Sequence, residues 1–254
     1  EIFDGNHKIS NLILNASKPM IVLGESFLNL KSSKYIFREI KKFLLENNKI
    51  NNDWNSLNIL SCDAASVGNY DLKLINKDKN LLKDLKDHKF EIVYLVGQDN
   101  LNFEKKDEFI IYQGSHGDKG AEIADIILPG AAYTEKNGLF INLEGKLQSA
   151  YKASYPPGDA REDWKIFKDL ANLMKISIGF STLNQIRENI KNVINSKIKN
   201  KITKKNKSFF VEEDIIIKQL DYYFTNSISR SSKVMNECRQ IKKKLSFIGI
   251  EKAS

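Results

Sequence analysis

The stretch Ala124 to Gly145, ADIILPGAAYTEKNGLFINLEG, decides how this chain folds. Its apolar run Asp125 to Pro129 (DIILP) is bounded by polar and turn-forming residues and is too short for an ordinary helix, so it reads as a buried strand. Gly130, Ala131 and Ala132 follow, small enough to let backbones approach closely, and then the charged pair Glu135 and Lys136. Asn137-Gly138 can supply the positive dihedrals of a tight hairpin turn into a second short strand, LFIN, which ends at a polar turn, Glu144-Gly145.

Working outward, four more apolar runs precede this one: Met20 to Gly24 (MIVLG), Asn58 to Ser61 (NILS), Glu91 to Gly97 (EIVYLVG) and Phe109 to Gly114 (FIIYQG). Each stops at Gly, Pro or a polar turn, and helical patterns lie between them. That alternation predicts βαβ units feeding a parallel sheet, and near-continuous apolar strands suit a sheet covered on both faces. Tyr35, Ile36, Ile40, Phe43 and Leu44 recur at three- and four-residue spacing, with Ser32 or Ser33 available as an N-cap. Asn80 to Asp87 makes a weaker helix, Ala121 to Ala124 a short one, and Asn48 to Asn55 a loop whose Trp54 packs on the sheet.

Downstream the pattern changes. Tyr155-Pro156-Pro157-Gly158 forces an extended or turning backbone. A helix is then expected from Asp159 or Ala160 to about Lys175, with Trp164, Phe167, Leu170 and Ala171 on one face. A second helix, Thr182 to Lys197, opens at Ser181 or Thr182 with Gln185 placed for a capping box. After a lysine-rich linker near 195–211, Ser227 to Leu245 reads as one charged amphipathic helix. The expected division is an α/β domain over 1–180 and a helical extension over 181–254.

The chain has 254 residues, 41% hydrophobic and 28% charged, which is ordinary for a globular fold with a substantial core. Its net charge of +8 raises the question of nucleic acid. The one dense basic cluster, Lys197 to Lys207 (KIKNKITKKNK), and the smaller Lys242 to Lys244 both lack the interleaved aromatics that base stacking needs, so a solvated linker is the reading and no nucleic-acid partner is expected. Abundant Lys, Asn and Ile with scarce Pro and Ala fit an AT-rich or organelle genome. Cys62 and Cys238 are far apart and outside any CxxC spacing, and His7, His88 and His116 share no ligand spacing, so no metal site is readable. No run reaches the 18 apolar residues of a membrane span. The first residue is Glu1, directly before a helical pattern, and a preceding segment or separate upstream chain is expected.

Two turns sit where α/β folds place ligands. Gly97-Gln98-Asp99-Asn100 closes one strand, so Asp99 and Asn100 could contact a ligand's hydroxyls, against a polar-turn reading. Gly114-Ser115-His116-Gly117-Asp118-Lys119-Gly120 could cradle a phosphate, although it is neither GxGxxG nor a P-loop. Ser115 and His116 are imaginable as nucleophile and base, but adjacent side chains are expected to point apart and no third group orients them.

ADIILPGAAYTEKNGLFINLEGKLQ (124–148) resembles the block shared by molybdopterin oxidoreductases of the formate dehydrogenase type and the large iron-sulfur (75 kDa) subunit family of respiratory complex I, NADH:ubiquinone oxidoreductase. PPGDAREDWKIFKDLANLM (156–174), IIYQGSHGDKGAEIADIILPGAAYTEK (110–136), KPMIVLG (18–24) and NSISRSSKVMNEC (226–238) are similar to the complex I version, in order along nearly the whole chain. The resemblance implies the carboxy-terminal part of that subunit: a Rossmann-like parallel-sheet layer of the molybdopterin oxidoreductase fold, retained without catalytic residues as a structural and assembly part of the complex. It implies no cofactor here, with iron-sulfur clusters in an amino-terminal half carried elsewhere. Two cysteines cannot ligate even one four-cysteine cluster. The implied partners are other matrix-arm subunits, among them a chain carrying that half, and the implied place is the matrix side of the mitochondrial inner membrane, without a span of its own. Asp99, Asn100, Ser115 and His116 would then be relics of a cofactor pocket. The competing reading is a remnant molybdopterin-dinucleotide-binding domain of an active oxidoreductase.

Overall fold

A computed structural model describes residues 1–74, 81–99, 101, 103–194, 209–214 and 221–247, with backbone alone for 244–247. The chain forms two compact units, each assembled from three separate pieces: residues 1–74, 139–148 and 190–217 in the first, and 75–138, 149–189 and 218–254 in the second.

In the first unit, helix α1 (Lys8–Asn15) precedes strand β1 (Ile21–Gly24), helix α2 (Ser33–Glu46) and strand β2 (Leu57–Leu60). The strands pair in parallel, Ile21 opposite Leu57 through Gly24 opposite Leu60. The three-and-four spacing places Ile40, Phe43 and Leu44 on one side of α2, all buried against Ile50 and Leu57, with Phe3, Ile13, Leu14 and Ile21 around them. A fully buried side chain of this size contributes ~1.5–3 kcal/mol. The helix stops where Asn48 takes φ +55° and the Lys49 amide turns back to the Leu44 carbonyl at 2.8 Å. Asparagine tolerates that left-handed conformation better than most residues. Trp54 is half-buried, its indole N–H donating to the Pro19 carbonyl at 2.8 Å.

The N-cap expectation for α2 is corrected. Ser32 occupies the N-cap position, but its hydroxyl does not cap the helix. It donates to the Val211 carbonyl at 2.8 Å and accepts from the Val211 amide at 2.7 Å, while Glu213 accepts from the Ser32 amide at 3.3 Å. Glu213, 181 residues downstream, thus supplies the negative charge that suits a helix start.

The second unit is built on three parallel strands in the order β3 (Ile92–Val96), β4 (Phe109–Gly114), β5 (Ile126–Pro129). Ile92 lies opposite Phe109, and Ile111 opposite Ile126. Helix α3 (Ser66–Asp71) precedes it in the chain, α4 (Leu81–Lys86) leads into β3, and α5 (Lys119–Glu122) crosses from β4 to β5. Leu95, Ile110 and Tyr112 form the core of one sheet face, packed by Leu101, Phe103, Ala121, Ile123 and Ala124. The other face bears helix α6 (Asp163–Leu173) through Tyr94 and Phe167, whose ring centroids are 6.0 Å apart. Coverage of both faces is incomplete, contrary to the expectation: Ile92 is 64% exposed, and Ile126 and Ile127 are also exposed, because β3 and β5 are edge strands. The five predicted strands therefore fall into two separate parallel sheets.

The small residues after β5 have a visible cause. The ladder continues beyond Pro129: the Gly130 amide donates to the Gly114 carbonyl at 2.9 Å, and the Ala131 amide to the Arg161 carbonyl at 2.8 Å, with Gly130 and Arg161 bridged in parallel. A Cβ on Gly130 would lie 3.3 Å from the Asp163 carboxylate, and Ala131 and Ala132 are buried. Because Arg161 is held in this ladder, α6 starts at Asp163 and not at Asp159 or Ala160. The tight turn expected at Asn137-Gly138 is not there. Asn137 uses its side chain to accept from the Lys152 amide at 3.0 Å, Gly138 begins β6 (Gly138–Ile141), and the chain reverses at Asn142 to Lys146, where Gly145 has φ +79°, before β7 (Leu147–Ala150).

Helix α7 (Leu183–Ile194) opens with the expected capping box. Gln185 accepts from the Ser181 and Thr182 amides at 2.6 and 3.1 Å, and Thr182 accepts from the Gln185 amide at 3.3 Å. Its continuation to Lys197, the cluster Lys197 to Lys207, Asn80 and Asn100 lie outside the described residues. The single carboxy-terminal helix resolves into two, α8 (Ser227–Ser231) and α9 (Lys233–Phe247), broken by the extended backbone of Ser232, ψ 120°.

Candidate functional site at the carboxyl edge of the second sheet

In parallel α/β sheets, side chains beyond the carboxyl ends of the strands are the ones free to meet a ligand. Here those ends are the turns after β3 and β4. Gly97 takes φ +62° and its amide donates to the Gln113 carbonyl at 2.7 Å, which delivers Gln98 and Asp99 to the edge. After β4, Asp118 caps α5 through the Lys119 amide at 2.9 Å.

Arg230, on α8, joins the two turns. Its guanidinium reaches the Asp99 carboxylate at 2.6 Å and the Asp118 carboxylate at 2.6 Å. The three side chains are 16%, 10% and 26% exposed, so the cluster is desolvated and the pairing is strong. Burial pushes the Asp118 carboxyl up, but the Arg230 guanidinium and the Lys119 amide outweigh it and hold it below the usual aspartate range. Burial likewise works against the charge of Arg230, yet the two carboxylates raise its pKa above the ordinary value. Tyr112 lies under the cluster with its phenol raised by burial and by Asp99, donating to the His116 carbonyl at 2.8 Å.

Beside it is a second polar cluster, on the face toward α6. Gln113 is fully buried; it accepts from the Tyr94 hydroxyl at 2.5 Å and donates to Asp163 at 2.8 Å, and Lys136 pairs with the other oxygen of Asp163. Burial, reinforced by Asp163, raises the Tyr94 phenol. Around it Glu135 accepts from the Ala132 amide at 2.9 Å, Arg161 pairs with Asp169 at 2.8 Å, and Glu162 accepts from the Trp164 indole at 3.1 Å. Glu135, Lys136, Arg161, Glu162 and Asp163 are thus taken up in local hydrogen bonds and ion pairs.

Ser115 and His116 do not point apart as the sequence suggested. The Ser115 hydroxyl and His116 Nδ1 are 3.0 Å from each other, because the turn after β4 folds their side chains to one side. Among the described residues no further group orients the imidazole, so the pair lacks the third member a nucleophilic triad needs. Two glycines of this loop, Gly114 and Gly120, make room for Tyr112. A Cβ on Gly114 would fall 2.2 to 2.8 Å from the Tyr112 ring, and one on Gly120 would fall 2.7 Å from the Gln98 carbonyl and 2.9 Å from that ring.

Arg230 carries no signal of its own in the sequence. It sits inside NSISRSSKVMNEC, 112 residues from Asp118, and no local spacing links them. Gln113 left a visible signal, a lone amide in the apolar run FIIYQG.

The model of the molybdopterin oxidoreductase family matches residues 1–173. The chain belongs to the molybdopterin oxidoreductase family. A second model, for the carboxy-terminal region of an NADH-ubiquinone oxidoreductase subunit, matches residues 191–238, which include Arg230. Among curated relatives, the NADH-ubiquinone oxidoreductase 75 kDa subunit of Reclinomonas americana is 36% identical over 96% of this chain and 37% of its own length. NADH dehydrogenase [ubiquinone] iron-sulfur protein 1, mitochondrial, of Solanum tuberosum is 32% identical over 96% of this chain and 34% of its own length. The mitochondrial NADH-ubiquinone oxidoreductase 78 kDa subunit of Candida albicans is 34% identical over 88% of this chain and 33% of its own length. The chain thus spans about a third of the relatives it matches.

The family implies a pterin dinucleotide, and the residues at this edge do not fit one. The two turns present carboxylates whose countercharge comes from the chain's own Arg230, and the space beside Gly114 and Gly120 is taken by the Tyr112 ring. Among the described residues, no three of His, Cys, Asp and Glu are grouped to hold a metal ion, and no helix is long and apolar enough to cross a membrane.

Proposed function

We propose that this chain is a non-catalytic structural and assembly part of the large iron-sulfur subunit of respiratory complex I, the NADH:ubiquinone oxidoreductase. The observation that carries the reading is Arg230: the carboxyl edge where the family's fold would receive a ligand is closed by an arginine from the segment that matches the NADH-ubiquinone oxidoreductase model. Asp99, Asn100, Ser115 and His116 are, on this reading, relics with no catalytic role, and the chain binds no cofactor. The iron-sulfur clusters belong to the part of the relatives' length that this sequence does not span. Its partners are other matrix-arm subunits, and its place is peripheral, on the matrix side of the mitochondrial inner membrane. The relatives named as mitochondrial support that compartment. The division near residue 180 into an α/β domain and a helical extension is supported by the two family matches, which end at 173 and begin at 191.

Solubilised respiratory complexes separated on a native gel test the reading. The chain should co-migrate with NADH dehydrogenase activity, and migration away from it would sink the proposal. Oxidised pterin fluorescence released from the purified chain would instead favour a remnant dinucleotide-binding domain.

A further inference from the structure

Helix α9 carries an apolar seam that nothing among the described residues covers. Val234, Cys238 and Ile241 fall at spacings of four and three, and Leu245 continues the series in sequence by four. At 100° per residue these positions lie within a narrow stripe along the helix. Val234 is 66% exposed, Ile241 57% exposed and Cys238 half-buried. The helix does pack against its own chain, but on a different side. Arg239 pairs with Asp221 at 2.5 Å and stacks its guanidinium on Phe224, and Lys242 lies over the rings of Tyr222 and Tyr223. The seam is therefore a second face, one that the described residues leave open.

Spacing and charge identify what would cover it. A four-three-four series is the heptad seam of a helix pair, narrower than the apolar face of a helix lying on a globular core. With Cys238 at an a position, the flanking e and g positions hold Met235, Glu237, Lys242 and Lys244, and α9 as a whole carries Lys233, Arg239, Lys242, Lys243 and Lys244 against the single acid Glu237. We propose that α9 forms an intermolecular helix pair with an amphipathic helix of another subunit, one whose apolar seam is bordered by aspartate and glutamate. A second copy of this chain fits poorly, because two helices of such positive charge repel. A lipid surface fits poorly too, since the seam is a narrow stripe of four residues in all and contains none of the bulky aromatics that anchor interfacial helices.

The proposal rests on the chain acting inside a larger assembly, and photo-crosslinking separates the two ideas. The full chain would be expressed in its source cells with Ile241→p-benzoylphenylalanine, and with Asn236→p-benzoylphenylalanine as the control on the opposite side of α9, then irradiated in intact membranes. The expected result is an adduct from position 241 and little or none from 236. The crosslinked peptide, read by mass spectrometry, should have apolar residues at three- and four-residue spacing flanked by Asp and Glu. An adduct of twice this chain's mass, an adduct with phospholipid, equal yields from both positions, a crosslinked peptide without that pattern, or no adduct would each overturn it. Whether the adduct runs with NADH dehydrogenase activity reports separately on the functional reading. As a second measurement, Ile241→Glu should lower the share of the chain in its assembly by tenfold or more relative to Asn236→Glu, and equal shares would count against the seam.

Discussion

Replacing Arg230 with methionine keeps most of the packing stem and removes the charge that Asp99 and Asp118 share. Removing one member of a buried pair costs ~3–5 kcal/mol, because the charge left behind stays desolvated. The low end applies here. Asp118 is a quarter exposed and can recover water, whereas Asp99 is nearly closed off and its Oδ2 already lacks a hydrogen-bond partner among the described residues. A loss of ~3 kcal/mol corresponds to roughly 6–12 °C in melting temperature for a domain of this size. Urea unfolding followed by Trp164 fluorescence reads the second unit, and Trp54→Phe removes the signal of the first. Asp99→Asn added to Arg230→Met should return part of the loss, with a coupling between the two substitutions of about 1.5 kcal/mol or more. A loss from Arg230→Met below ~0.5 kcal/mol, the size of an ordinary surface substitution, would refute the account of Arg230 as the tie across this edge.

Gly114→Ala should destabilise by ~1–3 kcal/mol through displacement of the buried Tyr112 ring, while Gly117→Ala, with open space at its Cβ, should leave the thermal midpoint almost unchanged. Glu25 accepts from the Cys62 amide at 2.5 Å, and its hydrogen bond to the thiol and its charge raise the Cys62 pKa; Glu25→Gln should therefore speed alkylation of Cys62 by iodoacetamide near pH 8. The carboxyls of Asp125, held low by the Ile110 amide and Lys105, and of Glu108, held low chiefly by the Lys106 amide, join Asp118 in binding protons less readily when folded. Their stabilisation is full above the unfolded carboxylate range of about pH 4 and is lost as pH falls through the lower folded values, so urea midpoints should drop steeply below about pH 4 and stay flat from 5 to 7.

Strands and the capped helix α7 were legible because their signals are local: β-rich apolar runs stopped by Gly or Pro, and Thr182 three residues before Gln185. What escaped was set by distant partners. Ser32 sits where a cap belongs, yet its hydroxyl is claimed by Val211; Arg161 is removed from the start of α6 by the ladder after β5; and Asn137-Gly138 is straightened because Lys152 takes the asparagine side chain. The candidate site divides the same way. Asp99 and the Ser115-His116 turn lie at strand ends, where the sequence put them, but Arg230, which ties Asp99 to Asp118, could be found only from the fold.

The claim of Val211 on Ser32 bears on how the molecule comes into being. The first unit draws on residues 190–217 and the second on residues from 218 onward, so neither unit can hold all its pieces until residue 217 has been made. Until then α2 waits with its amino end unsealed, an incomplete state in which nascent chains associate wrongly. A chain stalled before residue 209 therefore lacks the Val211 and Glu213 partners of Ser32 and should be a substrate for chaperones and proteases.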